Sequence, residues 1–288
     1  MLRSFISLDH KERAFDMTSI NTNVGALNAR ASAVRATNQM QRSMERLSSG
    51  LRINSAADDA AGLAVAGKME AQLRGINMSI RNAQDGVGLI QTAEAGLNEI
   101  RNMVLRIREL AVQMANGIYE DTPDRDNAQL EVAALINQVN LISDNTRFND
   151  IAVIDGSFTG VTIQAGNTTA EIITLSFLDS GASTLNFVSS TVATQSDATV
   201  AIGVMDSALE TIAGEQATMG SLVNRLEFSI ANQTKASVST EQAVGRIMDS
   251  DFAAETTALS KAQILNQAAT SMLAQANQSK GLILQLIQ

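Results

Sequence analysis

A mainly helical fold, in which the two ends of the chain pair as long helices around a helical bundle with a small β-hairpin insert, is predicted by three observations. Apolar residues recur at three- and four-residue spacing near both termini. Proline occurs once, at Pro123, in 288 residues, which leaves long stretches free to stay helical. Aromatics make up only 3% of the chain, so packing falls to Ala, Leu, Ile, Val and the twelve Met, the vocabulary of helix bundles.

The first helical pattern starts at Ile20 and continues through Val24, Leu27, Ala31 and Val34. After one phase slip, Met40, Met44, Leu47 and Leu51 resume it. The C-terminal pattern carries Ala258, Ala262, Leu265, Ala269, Met272, Ala276, Ser279, Ile283 and Leu286. Between Thr256 and Gln288 the only charged residues are Lys261 and Lys280, while Ser, Thr, Asn and Gln fill fourteen of the 33 positions. A water-facing helix normally carries Glu and Lys pairs, so this face suits a polar, charge-poor interior made with copies of the same chain. The plainer reading of such stripes is an exposed antiparallel coiled coil.

Between the ends, Ser48-Ser49-Gly50 and Asn54-Ser55 mark a break. Ser55-Ala56-Ala57-Asp58 has capping-box spacing, which accounts for the Asp58-Asp59 pair better than a metal site does. A long helix follows with the seam Ile90, Ala93, Leu97, Ile100, Val104, Ile107, Ala111 and Met114, ended by Asn116-Gly117. Thr122-Pro123-Asp124 opens the next helix, with Thr122 as N-cap and Pro123 at its first position, and Val132, Leu135, Val139 and Ile142 on its apolar side. The period changes at Phe148-Asn149-Asp150. Residues 161–165 and 173–177 alternate apolar and polar around Gly166-Asn167 and predict a hairpin. Residues 179–200, rich in Ser, Thr and Ala, are expected to form a loop or weakly ordered connector. Helical spacing returns with Met205, Leu209, Ile212, Met219, Val223, Leu226 and Ile230.

Composition excludes several classes of function. The net charge of −9 argues against nucleic acid, which requires clustered Lys and Arg. Eight acidic residues and no basic one lie between Arg147 and Arg225, which predicts an acidic middle that favours solubility. With no Cys there is neither a disulfide framework nor a thiolate zinc site. The single His10 and the lack of a phosphate-binding glycine loop give enzymatic chemistry no footing, and no cofactor is expected. No apolar run is long enough for membrane insertion, and residues 1–16 lack the apolar core of a secretory signal. Met17 reads as a natural start, with residues 1–17 as a non-native or disordered extension.

The chain resembles a bacterial flagellin in Ile20-Asn21-Thr22-Asn23, LSSGLRINSAADDAAGLAVA at 47–66, RNAQDGVGLIQTAEAGL at 81–97, RIRELAVQMANG at 106–117, NRLEFSI at 224–230 and AQILNQAATSMLAQANQ at 262–278. The likeness covers nearly everything from Met17 to Gln288. It implies a structural subunit that self-assembles into the flagellar filament for swimming, in a minimal form without large outer domains. Residues 18–50 and 251–288 would form the inner coiled-coil domain; 51–180 and 200–248 a rod-like helical domain with the hairpin near 150–178; 179–200 a variable loop. The implied partners are other copies of the chain, an export chaperone, the filament cap and hook-associated junction proteins, with export by the flagellar type III apparatus. The resemblance also implies a receptor or subunit contact patch at Arg106, Leu110 and Glu131, with weak recognition by Toll-like receptor 5 because Leu105 stands where strongly recognised members carry Gln. A flagellin-related adhesin or receptor, or a hook–filament junction protein, is the alternative.

Overall fold

A computed structural model of the chain describes residues 22–287, with side chains through Lys280. The elements run α1 (Val24–Ser49), α2 (Ala60–Met114), α3 (Asp126–Asn145), β1 (Arg147–Phe148), β2 (Ile151–Ala152), β3 (Val161–Gln164), β4 (Ile172–Leu175), α4 (Gln195–Met248) and α5 (Phe252–Ile287). They divide into two compact units, one of residues up to Ala64 with Gly245–Gln288, the other Val65–Val244.

In the larger unit the predicted α2 seam is the floor of the core. Ile90, Ala93, Leu97, Ile100, Val104, Ile107, Ala111 and Met114 are all buried, in one cluster with Val132 and Val139 of α3 and Met205, Ile212, Met219 and Leu226 of α4. The end of α2 is closed by a side chain from beyond it. Arg125, 3% exposed, donates from Nε to the Met114 carbonyl, from Nη2 to Asn116, and from Nη1 to Tyr119 and to the Asp121 carboxylate. Gln195 Nε2 adds a bond to the Ala115 carbonyl. The last carbonyls of a helix have no partner within it, and these two side chains supply one.

The start of α3 differs from expectation. The chain kinks at Thr122 within Asp121–Arg125, where the Arg125 N–H reaches back five residues to the Glu120 carbonyl at 3.2 Å, and α3 proper begins at Asp126. Thr122 has the extended backbone of an N-cap (φ −129, ψ 123), but its hydroxyl bonds the Asp126 carboxylate instead of a backbone N–H. The Thr122–Pro123 peptide is cis.

Two antiparallel hairpins follow. β3 and β4 pair from Val161↔Leu175 to Gln164↔Ile172, and so begin at the predicted residue on one side and one residue earlier on the other. β1 and β2 pair around Asn149 and Asp150, both at positive φ (49 and 62), the backbone that a two-residue hairpin turn demands and that Asn and Asp tolerate. Residues beyond β4 are irregular yet packed: Ala182, Phe187 and Val192 are fully buried. Asn140 Oδ1 accepts from the Ala182 N–H, and Gln129 Oε1 from the Val192 N–H, which pins this stretch to α3. The connector predicted for 179–200 is therefore part of the core up to the start of α4 at Gln195.

In the smaller unit α1 and α5 lie antiparallel, joined at one end by a backbone clasp. The Arg52 N–H donates to the Met248 carbonyl at 2.6 Å and the Ser250 N–H to the Gly50 carbonyl at 3.0 Å, around the bridge Leu51↔Asp249. Gly50 ends α1 in the left-handed conformation (φ 73), open to glycine without a Cβ penalty. Only the return half of the predicted capping box forms: Asp58 accepts from the N–H and hydroxyl of Ser55, while the Asp58 N–H bonds the Ser55 backbone carbonyl and not its hydroxyl. It folds a separate turn, however, and the N-cap of α2 is Asp59, whose Oδ1 accepts from the Gly62 N–H. The nearer carboxylate wins because the cap bond needs its acceptor three residues before the donor.

Candidate functional site

Helix α1 carries two heptad stripes. The residues it turns toward α5, buried or half-buried, are Ala26, Ala29, Ala33, Ala36, Met40, Ser43 and Leu47. On α5 the matching stripe is Glu255, Leu259, Ala262, Asn266, Ala269, Leu273 and Ala276. Alternating steps of three and four residues make both stripes coiled-coil seams, and alanine lets the helices approach closely.

Methyl-sized side chains specify register poorly, and polar groups do it instead. Asn23 Nδ2 donates to the Ala276 carbonyl at 2.9 Å, and Asn266 Nδ2 to Thr37 Oγ1 at 2.7 Å. Arg46 and Glu255 form an ion pair at 3.8 Å near the clasp. A slip of the pair in either direction would break all three.

The predicted seam residues divide between the two sides of the helices. Val24, Leu27 and Val34 point away from α5 and are 58%, 54% and 52% exposed. They lie about two residues out of phase with the alanine seam, which at 3.6 residues per turn is close to the opposite face. The phase slip in the α1 pattern is thus the crossing from the outward stripe to the inward one, where Leu47 is half-buried; Leu51 lies in the clasp. On α5, Leu265 and Met272 are 50% and 64% exposed, and line a groove with Ala29 and Ser32 of α1. Ile20 lies outside the described residues. Ile283 and Leu286 belong to α5, but their side chains are also outside the described set.

The energetics favour a further partner for these faces. Each methyl in the alanine seam contributes about 0.8 kcal/mol or less, while ordering the backbone costs about 1–2 kcal/mol per residue. Leu27, Val34, Leu265 and Met272, at about 1.5–3 kcal/mol each on full burial, hold the larger unused share.

The patch predicted at Arg106, Leu110 and Glu131 is only partly a surface. Arg106 Nε donates to Glu131 at 2.9 Å and Nη1 to Glu109 at 3.3 Å, and these carboxylates hold the guanidinium pKa above its ordinary value. Leu110 is 4% exposed and lies in the core, so it does not serve as an apolar anchor beside the arginine. In a bundle the buried stripe of a helix is wider than a two-stranded seam, and it takes in Leu110 next to Ala111.

Among the described residues no group of His, Asp and Glu is arranged to hold a metal ion, and no helix is long and apolar enough to cross a membrane. A helical protein whose paired end helices keep apolar faces uncovered is a structural, associating protein by class. Comparison with known proteins gives the family. Residues 20–159 match the model of the bacterial flagellin N-terminal helical region and residues 202–287 that of the C-terminal helical region. The chain is 40% identical over 273 residues to a flagellin of Halalkalibacterium halodurans, covering 93% of this chain and 99% of that one. It is 38% identical over 285 residues to the flagellar filament 33 kDa core protein of Treponema phagedenis, with the same coverage of each. A putative flagellar hook-associated protein from Vibrio parahaemolyticus has a related fold, with a TM-score of 0.54, 12% identity and coverage of 67% of this chain and all of that one. The chain belongs to the bacterial flagellin family, and is a structural subunit of the flagellar filament.

Proposed function

We propose that this chain polymerises through the outward faces of α1 and α5, each subunit covering with its own Val24, Leu27, Val34, Leu265 and Met272 the same kind of surface on its neighbours. The observation that carries the reading is the second apolar stripe of α1, in heptad spacing but uncovered within one chain. The uncharged Ser, Thr, Asn and Gln around it on α5 support burial among copies, since they satisfy one another without leaving unpaired charge. Ile20, Ile283 and Leu286 extend the same stripes by sequence.

In this reading the chain leaves the cell through the flagellar type III apparatus with an export chaperone, and meets the filament cap and hook-associated junction proteins during growth. It is not an enzyme and takes no cofactor. Engagement of Toll-like receptor 5 is weak, because Arg106 is already paired with Glu131 and Glu109 and Leu110 is withdrawn into the core.

Deletion of residues 258–288 tests the proposal. The truncated chain should keep the helical signal and cooperative melting of its larger unit and fail to sediment as polymer under conditions where the full chain does. Filaments of the truncated chain would overturn it.

A further inference from the structure

We propose that Met272 is an oxidation-sensitive assembly contact, and that peroxide acting on its thioether excludes a subunit from the polymer. The inference rests on the self-association proposed above and adds a chemical control to it. Of the methionines with described surroundings, Met114, Met205 and Met219 are buried in the core of the larger unit, while Met44, Met78 and Met272 are exposed, Met272 the most at 64%. Met272 also stands on the groove between α1 and α5, one heptad beyond Leu265 and opposite Ala29 and Ser32. Solvent access and a place on an apolar contact face therefore meet at this side chain.

A lone pair of the Met272 sulfur attacks one oxygen of hydrogen peroxide and the O–O bond breaks; the departing hydroxide takes the proton of the transferred hydroxyl and leaves as water, and the sulfur, oxidised by two electrons, becomes a sulfoxide. A flexible apolar side chain then becomes polar and must be desolvated before any neighbour can cover it. Leu265, Ala268, Ala269 and Ala276 make the groove floor beside Met272 apolar, and the polar side chains among its lining, Asn28, Ser32, Gln275 and Ser279, carry no charge to offset the burial of a sulfoxide dipole. Once a neighbouring subunit covers the sulfur, the oxidant no longer reaches it, so the sensitivity belongs to the free subunit.

Partition of partly oxidised protein provides the test. Monomer is treated with hydrogen peroxide to partial oxidation, allowed to polymerise and sedimented, and the sulfoxide at each methionine is measured by peptide mass spectrometry in pellet and supernatant. Met272 sulfoxide should be depleted about ten-fold in the pellet, which corresponds to about 1.4 kcal/mol per subunit added, and methionine sulfoxide reductase should restore assembly. Met272→Leu keeps the apolar contact without the sulfur, so it should polymerise and lose this sensitivity. Equal Met272 sulfoxide in the two fractions, or unchanged peroxide sensitivity in Met272→Leu, would overturn the inference. Absence of a pellet from the untreated chain would instead sink the self-association reading beneath it.

Discussion

Gly96 of α2 and Thr146 at the end of α3 touch so closely that a methyl group on Gly96 would lie 2.8 Å from Thr146 Oγ1 and 3.0 Å from Ile154 Cδ1. Thr146 cannot turn aside without loss, because its hydroxyl donates to the Ile142 carbonyl at 2.7 Å and its β-branched side chain is stiff. Gly96→Ala should therefore destabilise the chain by about 1–3 kcal/mol, the usual result of overpacking. Gly203→Ala, on an exposed turn of α4 with nothing within 4 Å, should stabilise it by about 0.5–1 kcal/mol. Denaturant midpoints of the two variants must move in opposite directions.

Removing one oxygen from the α1–α5 seam should strengthen it. The Ser43 hydroxyl is fully buried and is the buried side-chain polar atom without a hydrogen-bond partner among the described residues. Ser43→Ala relieves the desolvation cost of that hydroxyl and should raise the stability of the pair by about 1 kcal/mol. Hydrogen exchange along α1 and α5 reads it, and faster exchange there would refute the prediction.

Arg125 should be irreplaceable by lysine. Its guanidinium reaches three carbonyls and a carboxylate at fixed angles, which a single ammonium cannot do. Arg125→Ala leaves the Met114 and Tyr119 carbonyls short of a donor, at about 1 kcal/mol or more each, removes the packing of a buried side chain, and leaves the Asn116 carbonyl with the Tyr119 N–H alone. A loss of about 3 kcal/mol is expected, with proteolytic nicking between 115 and 125. Arg125→Lys should recover less than half of the loss in a thermal melt.

Acid should loosen two turns before it melts the core. The Ser55 hydroxyl, with the Ser55 and Asn54 N–H groups, holds the Asp58 pKa below the ordinary 3.8, and the Ser157 hydroxyl and N–H do the same for Asp155. Their stabilisation is complete above the unfolded value and is lost as pH falls through the depressed folded values, since the unfolded chain takes up the proton first. Amides of Asn54, Ser55 and Ser157 should exchange faster at about pH 3 than at about pH 5, after correction for intrinsic rates. Asp58→Asn should flatten that dependence at Asn54 and Ser55 while leaving Ser157 unchanged.

What the sequence made legible follows side-chain size. The α2 seam from Ile90 to Met114 was readable position by position, because Ile, Leu, Val and Met at helical spacing have only the core to fill. The inward seam of α1 carries little sequence signal because Ala26, Ala29, Ala33 and Ala36 look neutral beside Val24, Leu27 and Val34, which dominate any apolar pattern yet face outward. Leu110 enters the contact patch through the family resemblance, which carries no information on its burial; its place beside Ala111 in the core follows from the wide buried stripe of a bundle helix. Arg125 carried no signal at all, since its role depends on carbonyls up to eleven residues away. Residues 179–194 resemble a loose connector in sequence because Leu185, Phe187 and Val192 follow no period, so nothing but their size announces that they are buried.

The clasp at Gly50 and Ser250 governs the order in which the chain can close. Asn23 and Ala276 are 253 positions apart, and joining them directly from an open chain would cost the loop entropy of nearly the whole polypeptide. With Arg52 and Met248 already bonded, every later contact between α1 and α5 closes only a few more residues, and the helices can zip outward from a fixed end. The terminal pair can therefore open from its free end, at Asn23 and Ala276, while the clasp keeps the two helices within reach of each other.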